Sequence, residues 1–401
     1  RVAPHTRTGR GGRSRSEGVG PARSLSERQP FRRWAQGATR ARNAVCSRPM
    51  RAVRKLLLSL AYGNVLLALH GCGFAYVTMV LTGCPVRPVP LVLAFLLVQA
   101  VYGFDKVLLF GAGSMACLFG ARLAPAADVT LIDTWKEGID AIRGNGILFE
   151  DAGGRRTVSV HAEILGTPLE PFDLAFVLIK SWQTDLISKY LPGYLKPEGI
   201  AISLQNGLGN VEQLGAKAFP GTTAEGATLL GPGQVKAGGS GPTHIVAPAW
   251  IVDLLKSAGF EAYACDANKA GSLLWGKLSV SCGINALTAL LRIPNGELLK
   301  RPAATDLMTR AVRECVAVAC AAGIVLPYTD AVSHAKEIAE RTASNQSSML
   351  QDILRGAPTE CDAINGAIVR AGMRLGVATP VNEILWQLVM AAVAPHRSDF
   401  G

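Results

Sequence analysis

The sequence lacks the cysteine patterns that mark a metal site or a disulfide scaffold. Its 401 residues include nine cysteines, but no Cys-x-x-Cys pair and no group of Cys and His at zinc-binding spacing. An odd number of dispersed cysteines is typical of reduced thiols in a cytosol-like compartment. We therefore expect a cytoplasmic protein without a metal cofactor.

Charged residues are also scarce in most of the chain. They make up 18% of the residues and hydrophobic residues make up 49%, which excludes a wholly disordered protein. The net charge of +11 suggests a nucleic-acid partner, but residues 1–55 alone hold 15 Lys and Arg against two acids. Because the rest of the chain has slightly more acids than bases, we expect no nucleic-acid-binding face.

Residues 56–104 carry almost no charge, since Arg87 is their only charged residue. A helix needs about 20 apolar residues to cross a bilayer, and basic residues precede this segment as in a cytoplasmic flank or a signal peptide. Three interpretations stay open: a membrane anchor that leaves the rest in the cytoplasm, a targeting segment, or upstream sequence joined to a soluble protein. We favour the third, with a basic, disordered extension over 1–55.

From residue 105 to 268, apolar runs alternate with helical patterns. The runs predict strands at 107–110, 128–133, 157–164, 172–180 and 199–207, and helices separate the first three of them. This order predicts an α/β domain with a doubly wound, Rossmann-type sheet. Only helical spacing follows, so we expect an all-helical second domain over 269–398.

The turn after the first strand has the spacing of a dinucleotide-binding turn. Gly111-x-Gly113-x-x-Ala116 lies between a predicted strand and a predicted helix, and Asp133 ends the second strand. Such glycines permit a tight turn and close approach of a pyrophosphate to the helix N-terminus. A glycine turn without a ligand has the same pattern. Asp133 favours a ribose 2′-hydroxyl, hence NADH; alternatively, it caps the next helix.

Three polar residues interrupt the apolar helix that opens the second domain. Lys277, Ser281 and Asn285 are spaced i, i+4 and i+8, so they share one face. Burying a lysine without a partner is costly, and the residues between are apolar, so this face is expected to line a cleft. A solvated stripe on a surface helix is the alternative.

Six further polar residues have weaker patterns. Lys180 and Asn206 end predicted strands, where ligands bind in open α/β sheets. Asn345, Ser348 and Asp352 share a predicted helix face, which is equally typical of an ordinary solvated face. Glu360 begins another predicted helix, where an acid also complements the helix dipole.

The motifs GAGSMACLFGARLA, LIKSWQT, LQNGLGN, WGKLSV, NQSSMLQDI and TECDAINGAIV occur in an order that resembles the ketopantoate (2-dehydropantoate 2-) reductases, from about Lys106 to Ala394. The resemblance implies NADPH-dependent reduction of ketopantoate to pantoate, on the route to coenzyme A, in a cleft between the two domains. It implies catalytic roles for Lys277 and Glu360. The residue patterns and the resemblance together predict the binding residues. For the substrate they are Asn206, Ser281, Asn285, Asn345 and Ser348. For the cofactor they are Gly111, Ala112, Gly113, Ser114, Met115, Ala116, Asp133, Lys180, Asn206 and Glu360.

Some residues depart from the family pattern and keep alternatives open. Ser281 stands where the family often has Asn, and Asp133 fits NADH better than NADPH. A paralogous reductase of another 2-keto or 3-hydroxy acid therefore remains an alternative, as does a membrane-tethered dinucleotide-binding protein without catalysis, its tether being residues 56–104. Helical second domains often pair, which leaves a homodimer open.

Overall fold

The computed structural model describes residues 106–393 and two short strands before them. These strands, β1 (Val65–Ala68) and β2 (Thr78–Leu81), pair antiparallel with Val65 opposite Leu81. The expected disordered extension over 1–55 lies outside the described residues. So does the rest of residues 56–104, on which the three interpretations of that segment depend.

The first domain is an α/β domain. Its strands are β3 (Lys106–Phe110), β4 (Asp128–Asp133), β5 (Ile147–Asp151), β6 (Gly154–Val158), β7 (His161–Ile164), β8 (Phe172–Val177), β9 (Leu195–Ser203), β10 (Ala218–Thr223), β11 (Ala227–Gly231), β12 (Gln234–Ala237), β13 (Thr243–Ile245) and β14 (Ala262–Ala264). Its helices are α1 (Ser114–Leu123), α2 (Lys136–Asn145), α3 (Thr184–Tyr194), α4 (Asn210–Leu214) and α5 (Ala249–Ser257).

The main sheet has eight strands in the order β14-β13-β10-β9-β8-β3-β4-β7. Its neighbours pair in parallel except β10 and β13. Strands β3, β4 and β8 are almost wholly buried, as expected for a parallel sheet covered on both faces. The predicted Rossmann-type sheet is confirmed.

The prediction of one strand over 157–164 was wrong. The chain leaves one sheet after Val158 and enters another at His161: β6 pairs with β5 in a four-stranded sheet ordered β11-β12-β5-β6, whereas β7 pairs with β4. Helix α1 lies between the two sheets. A Cβ at Gly120 would come within 3.1 Å of both Leu131 in β4 and Ile147 in β5, so glycine permits this close packing.

The second domain is helical, as predicted. Its helices are α6 (Ala267–Leu291), α7 (Pro302–Ala321), α8 (Ala331–Arg341), α9 (Ser348–Leu354), α10 (Ala367–Leu375) and α11 (Pro380–Ala392). Between residues 265 and 393 the structure contains no strand. Helix α6 begins where the Asp266 side chain accepts a hydrogen bond from the Lys269 N–H.

Helix α6 is the core of this domain. Among the described residues it is the one helix long and apolar enough to cross a bilayer by length and composition, and most of its residues are buried inside the fold. Cys282, Ala286 and Leu287 pack into the domain core together with Met308 and Cys315 of α7. The Lys277 face of α6 instead turns toward β10 of the first domain.

Candidate active site

The β3–α1 turn has the geometry that its glycines predict. Gly111 has a φ of +128°, which disfavours other residues, and a Cβ there would lie 3.2 Å from the Ala116 Cβ. A Cβ at Gly113 would meet nothing within 4 Å, so space is open at the N-terminus of α1. No side chain caps this helix. Its free N–H groups and this space fit a pyrophosphate.

The turn residues differ in accessibility. Gly111, Ala112 and Ala116 are buried, whereas Gly113, Ser114 and Met115 are partly exposed at the start of α1. The first three therefore shape the turn, and the accessible residues are those that a bound dinucleotide would contact.

Asp133 fixes the turn to the end of β4. Its Oδ2 accepts a hydrogen bond from the Ala112 N–H at 2.6 Å, and its Oδ1 accepts the N–H groups of Thr134 at 2.6 Å and Trp135 at 3.1 Å. The residue is only 8% exposed. Its carboxylate therefore has a structural task, and only its remaining lone pairs are left for a ribose hydroxyl.

Glu360 is a buried carboxylate that contacts the ends of two strands. Its Oε1 accepts the Ser181 N–H at 3.2 Å, and its Oε2 accepts the Asn206 Nδ2 at 2.9 Å. The Lys180 Nζ lies 3.8 Å from the same Oε2. Lys180 follows β8 and Asn206 follows β9, so the structure brings these two residues and Glu360 together at the carboxyl edge of the sheet.

A close approach of two backbones holds Asn206 in this position. Gly207 has a φ of +84°, and a Cβ there would lie 2.3 Å from the Ala363 carbonyl oxygen. The next N–H, of Leu208, donates to that oxygen at 3.0 Å. Glycine at 207 therefore lets the loop after β9 dock directly on the helical domain, beside Glu360.

Lys277 of α6 is anchored to the first domain. Its Nζ donates to the main-chain carbonyl of Thr223, at the end of β10, at 2.9 Å. Burial lowers the pKa of the Lys277 ammonium below its usual value, and the charge of Glu360 partly offsets that shift. The charge of the Glu360 carboxylate therefore influences the protonation of the Lys277 amine.

Ser281 and Asn285 continue the Lys277 face along α6. Both are partly exposed, and within residues 106–393 neither side chain makes a hydrogen bond. The hydrogen-bonding groups of these two side chains are thus available to a ligand.

Asn345 and Ser348 lie farther along the helical domain. Asn345 precedes α9 and does not lie on the predicted helix face with Ser348, because α9 begins only at Ser348. Both side chains are exposed, and no hydrogen bond in the described part of the chain joins them to Lys180, Asn206 or Glu360. The helix cap is the buried Ser347, which accepts the Leu350 N–H.

Three groups at the candidate site were not predicted as functional from the sequence. Asp352, whose side chain is 3% exposed, pairs with Lys180 at 2.6 Å, although it appeared only as part of a polar helix face. Ser181 and Thr223 act through main-chain groups, which no side-chain pattern reveals. In the described residues, no group of three or more His, Cys, Asp and Glu is arranged to hold a metal ion.

Comparison with known proteins decides the family. The family model described as ketopantoate reductase PanE/ApbA matches residues 107–249, and that of its C-terminal part matches residues 271–393. The chain belongs to the ketopantoate reductase family. The 2-dehydropantoate 2-reductase of Archaeoglobus fulgidus is 32% identical over 297 residues, covering 71% of this chain and 97% of that relative. The chain is thus an oxidoreductase of this family.

Two solved structures extend this comparison within the ketopantoate reductase fold. A PanE/ApbA family ketopantoate reductase from Ralstonia eutropha JMP134 is 31% identical with a TM-score of 0.67, over 72% of this chain and 98% of that one. D-mandelate dehydrogenase, solved with NADH and anilino(oxo)acetate, is 28% identical with a TM-score of 0.67 over the same shares. The family thus uses a nicotinamide dinucleotide, NADH or NADPH, and includes paralogues with other 2-hydroxy acids.

Proposed function

We propose that this member of the ketopantoate reductase family reduces ketopantoate to pantoate. The observation that carries the proposal is the position of Glu360: it hydrogen-bonds Asn206, lies 3.8 Å from Lys180 and acts electrostatically on Lys277. The carboxylate and the Lys180 amine thereby meet beside the carboxyl ends of β8 and β9, and the Lys277 amine lies at the end of the neighbouring strand β10. This is the edge at which open α/β sheets bind their ligands.

Lys277 is the proton donor in this proposal. A reduced nicotinamide, when bound, supplies a hydride to C2 of the keto acid, and negative charge then develops on the keto oxygen. The Lys277 ammonium has one N–H on the Thr223 carbonyl, which leaves two to hydrogen-bond that oxygen and protonate it. Glu360 favours the charged form of the ammonium, because a nearby carboxylate stabilises a cation.

The remaining predicted residues orient the substrate. Asn206 keeps its side-chain carbonyl free while its Nδ2 holds Glu360, so it can position a substrate hydroxyl or the nicotinamide ribose. Ser281 and Asn285 present unused hydrogen-bonding groups along the same face as Lys277. Asn345 and Ser348, both exposed, are assigned to the substrate carboxylate on the family resemblance.

For the cofactor, NADPH is the first candidate and NADH the second. NADPH is what the resemblance to ketopantoate reductases implies. NADH is supported by Asp133, whose carboxylate at the end of β4 repels a 2′-phosphate, and by the NADH bound to D-mandelate dehydrogenase. Gly113 and the uncapped N-terminus of α1 suit the pyrophosphate of either cofactor.

A second candidate is the reduction of another 2-keto acid. The observation in its favour is Ser281, a shorter side chain than the Asn often found there, with no hydrogen-bond partner within the described chain. A substrate with a larger or less polar group at C3 fits the space that a shorter side chain leaves.

The setting of the reaction is also inferred. We place it in the cytoplasm, with a small keto acid as substrate and without nucleic acid. A homodimer, and attachment to a membrane through residues 56–104, stay predictions.

The proposal is tested by following reduced cofactor with the purified full chain, ketopantoate and a panel of other 2-keto acids, each with NADPH and NADH. The highest kcat/KM with ketopantoate supports the first function, and a preference for an aryl-substituted or bulkier keto acid supports the second. The K277A variant is the control for contaminating reductases. Absence of Lys277-dependent turnover with every keto acid overturns both.

A further inference from the structure

Lys180 has two carboxylates within reach, and they are not equivalent. Its Nζ lies 2.6 Å from Oδ2 of Asp352 on α9 and 3.8 Å from Oε2 of Glu360. The first distance is a direct ion pair, whereas the second is too long for a good hydrogen bond. Asp352 is therefore the primary partner of Lys180, although 172 residues separate them in sequence.

Asp352 is held in this position from both sides. Its side chain is 3% exposed, with Lys180 on Oδ2 and Arg355 donating to Oδ1 at 3.1 Å. Burial raises the pKa of the Asp352 carboxyl and the charge of Glu360 raises it further, while Lys180 and Arg355 oppose that shift. The ion pairs with Lys180 and Arg355 thus favour the charged form of a second carboxylate near Glu360.

The ion pair between Lys180 and Asp352 also determines which groups contact the Glu360 carboxylate. Its two oxygens are occupied by neutral donors, the Ser181 N–H and the Asn206 amide. Because Lys180 pairs with Asp352 at 2.6 Å, its Nζ stays 3.8 Å from Glu360, and in the described part of the chain no lysine or arginine donates a hydrogen bond to Glu360. The charge of Glu360 also acts on Lys277. If Lys180 moved about 1 Å toward Glu360, it would hydrogen-bond that carboxylate directly and offset more of its charge.

We propose that Asp352 is a positioning residue for the reaction: it holds Lys180 away from Glu360 and so leaves the Glu360 carboxylate free to act on Lys277. The inference rests on the proposed function, since Lys277 is the proton donor in it. The charged groups involved are Asp352 and Arg355 on α9, Glu360 before α10, Lys277 on α6 and Lys180 after β8.

The test is the pH profile of kcat/KM for ketopantoate in D352N, which keeps the shape of the side chain but not its charge. In D352N, Lys180 loses its partner and pairs with Glu360 instead. The protonated form of Lys277 is then less stabilised, so the pKa of this amine falls. The alkaline limb of the pH profile therefore moves to lower pH by about one unit. The double variant D352N/K180M removes the competing cation and returns the limb toward the wild-type position. D352E, which keeps the charge, leaves the limb in place.

The matched control is R355Q, which removes the other partner of Asp352 at an exposed position and is expected to leave the limb unmoved. The inference is overturned if D352N lowers kcat/KM but leaves the alkaline limb at the wild-type pH. It is also overturned if the limb moves in D352N and the double variant D352N/K180M does not return it. Direct titration of the Lys277 amine by NMR of reductively methylated protein, assigned with K277R, measures the same shift without turnover. Failure of the proposed function is therefore distinguishable from failure of this inference.

Discussion

The side-chain amide of Asn206 donates a hydrogen bond to Oε2 of Glu360 at 2.9 Å, across 154 residues of sequence. The donor belongs to the loop after β9 and the acceptor to the helical domain. The backbone contact between Leu208 and Ala363 fixes both partners from a second direction. The position of the carboxylate is therefore set by the docking of the two domains.

Replacing Lys277 should remove the proton donor. We expect K277A to lower kcat by about 10²- to 10⁴-fold while leaving the Kd of the reduced cofactor within a few-fold, because the lysine acts on the keto oxygen. K277R should recover little, since a guanidinium does not release its proton at neutral pH. Stopped-flow single turnovers and fluorescence titration measure the two quantities.

The control for this substitution is K269A on the same helix. Lys269 is exposed near the start of α6, two turns from Lys277, and should leave kcat unchanged. Equal losses in K269A and K277A would mean that the effect comes from the helix and not from the amine.

Removing the charge of Glu360 should change the pH dependence of reduction. In the proposed mechanism, reduction requires protonated Lys277, so the rate falls as pH rises through the pKa of this amine, which burial has already lowered below 10.5. Because Glu360 raises that pKa, E360Q should move the alkaline limb of kcat/KM to lower pH. D362N, an exposed neighbour paired with Arg370, is the control and should not move it. An alkaline limb unchanged in E360Q contradicts the electrostatic role.

The two glycines of the β3–α1 turn should respond differently to substitution. Gly113 has an ordinary φ of −79° and open space around it, so G113V should keep its melting temperature and lose cofactor affinity. G111A should cost about 1–3 kcal/mol of folding free energy, because its φ of +128° strains any other residue. Thermal unfolding and cofactor titration of both variants separate the two roles; unaltered cofactor binding in G113V would place the dinucleotide elsewhere.

Asp133 should affect both stability and cofactor choice. D133A leaves three backbone N–H groups without their acceptor, which should cost about 1–3 kcal/mol or more. It should also raise the ratio of kcat/KM for NADPH to that for NADH, since the charge that repels a 2′-phosphate is gone. D128N, at the opposite end of β4, is the control. Lower stability with an unchanged ratio would give Asp133 a structural role alone.

Much of the fold follows from patterns that are local in sequence. The strands Lys106–Phe110 and Asp128–Asp133 are buried apolar runs, and the glycine turn between β3 and α1 has a fixed spacing, so both were predicted. Residues 157–164 were predicted as one strand because alternation continues across Ser159. The change of sheet there depends on pairing with β5 and β4, which the local sequence does not encode.

The sequence predicts those parts of the candidate site that consist of side-chain groups. Lys277 is an unusual residue type in an apolar helix, and the family motifs assign both Lys277 and Glu360. The pairing of Lys180 with Asp352 could not be predicted, since it depends on how two domains dock. The docking itself depends on Gly207, which in sequence is only one glycine of an Asn-Gly turn.

The anchor of Lys277 has an evolutionary consequence. The lysine is held by the carbonyl of Thr223, while the hydroxyl of that threonine faces away to pair with Thr243 at 2.7 Å. A substitution at 223 can therefore replace the side chain and keep the anchor, whereas an insertion or deletion in β10 would displace it. Selection for the hydrogen bond between Lys277 and the Thr223 carbonyl therefore acts on the length of β10. The identity of residue 223 in a sequence alignment does not report that selection.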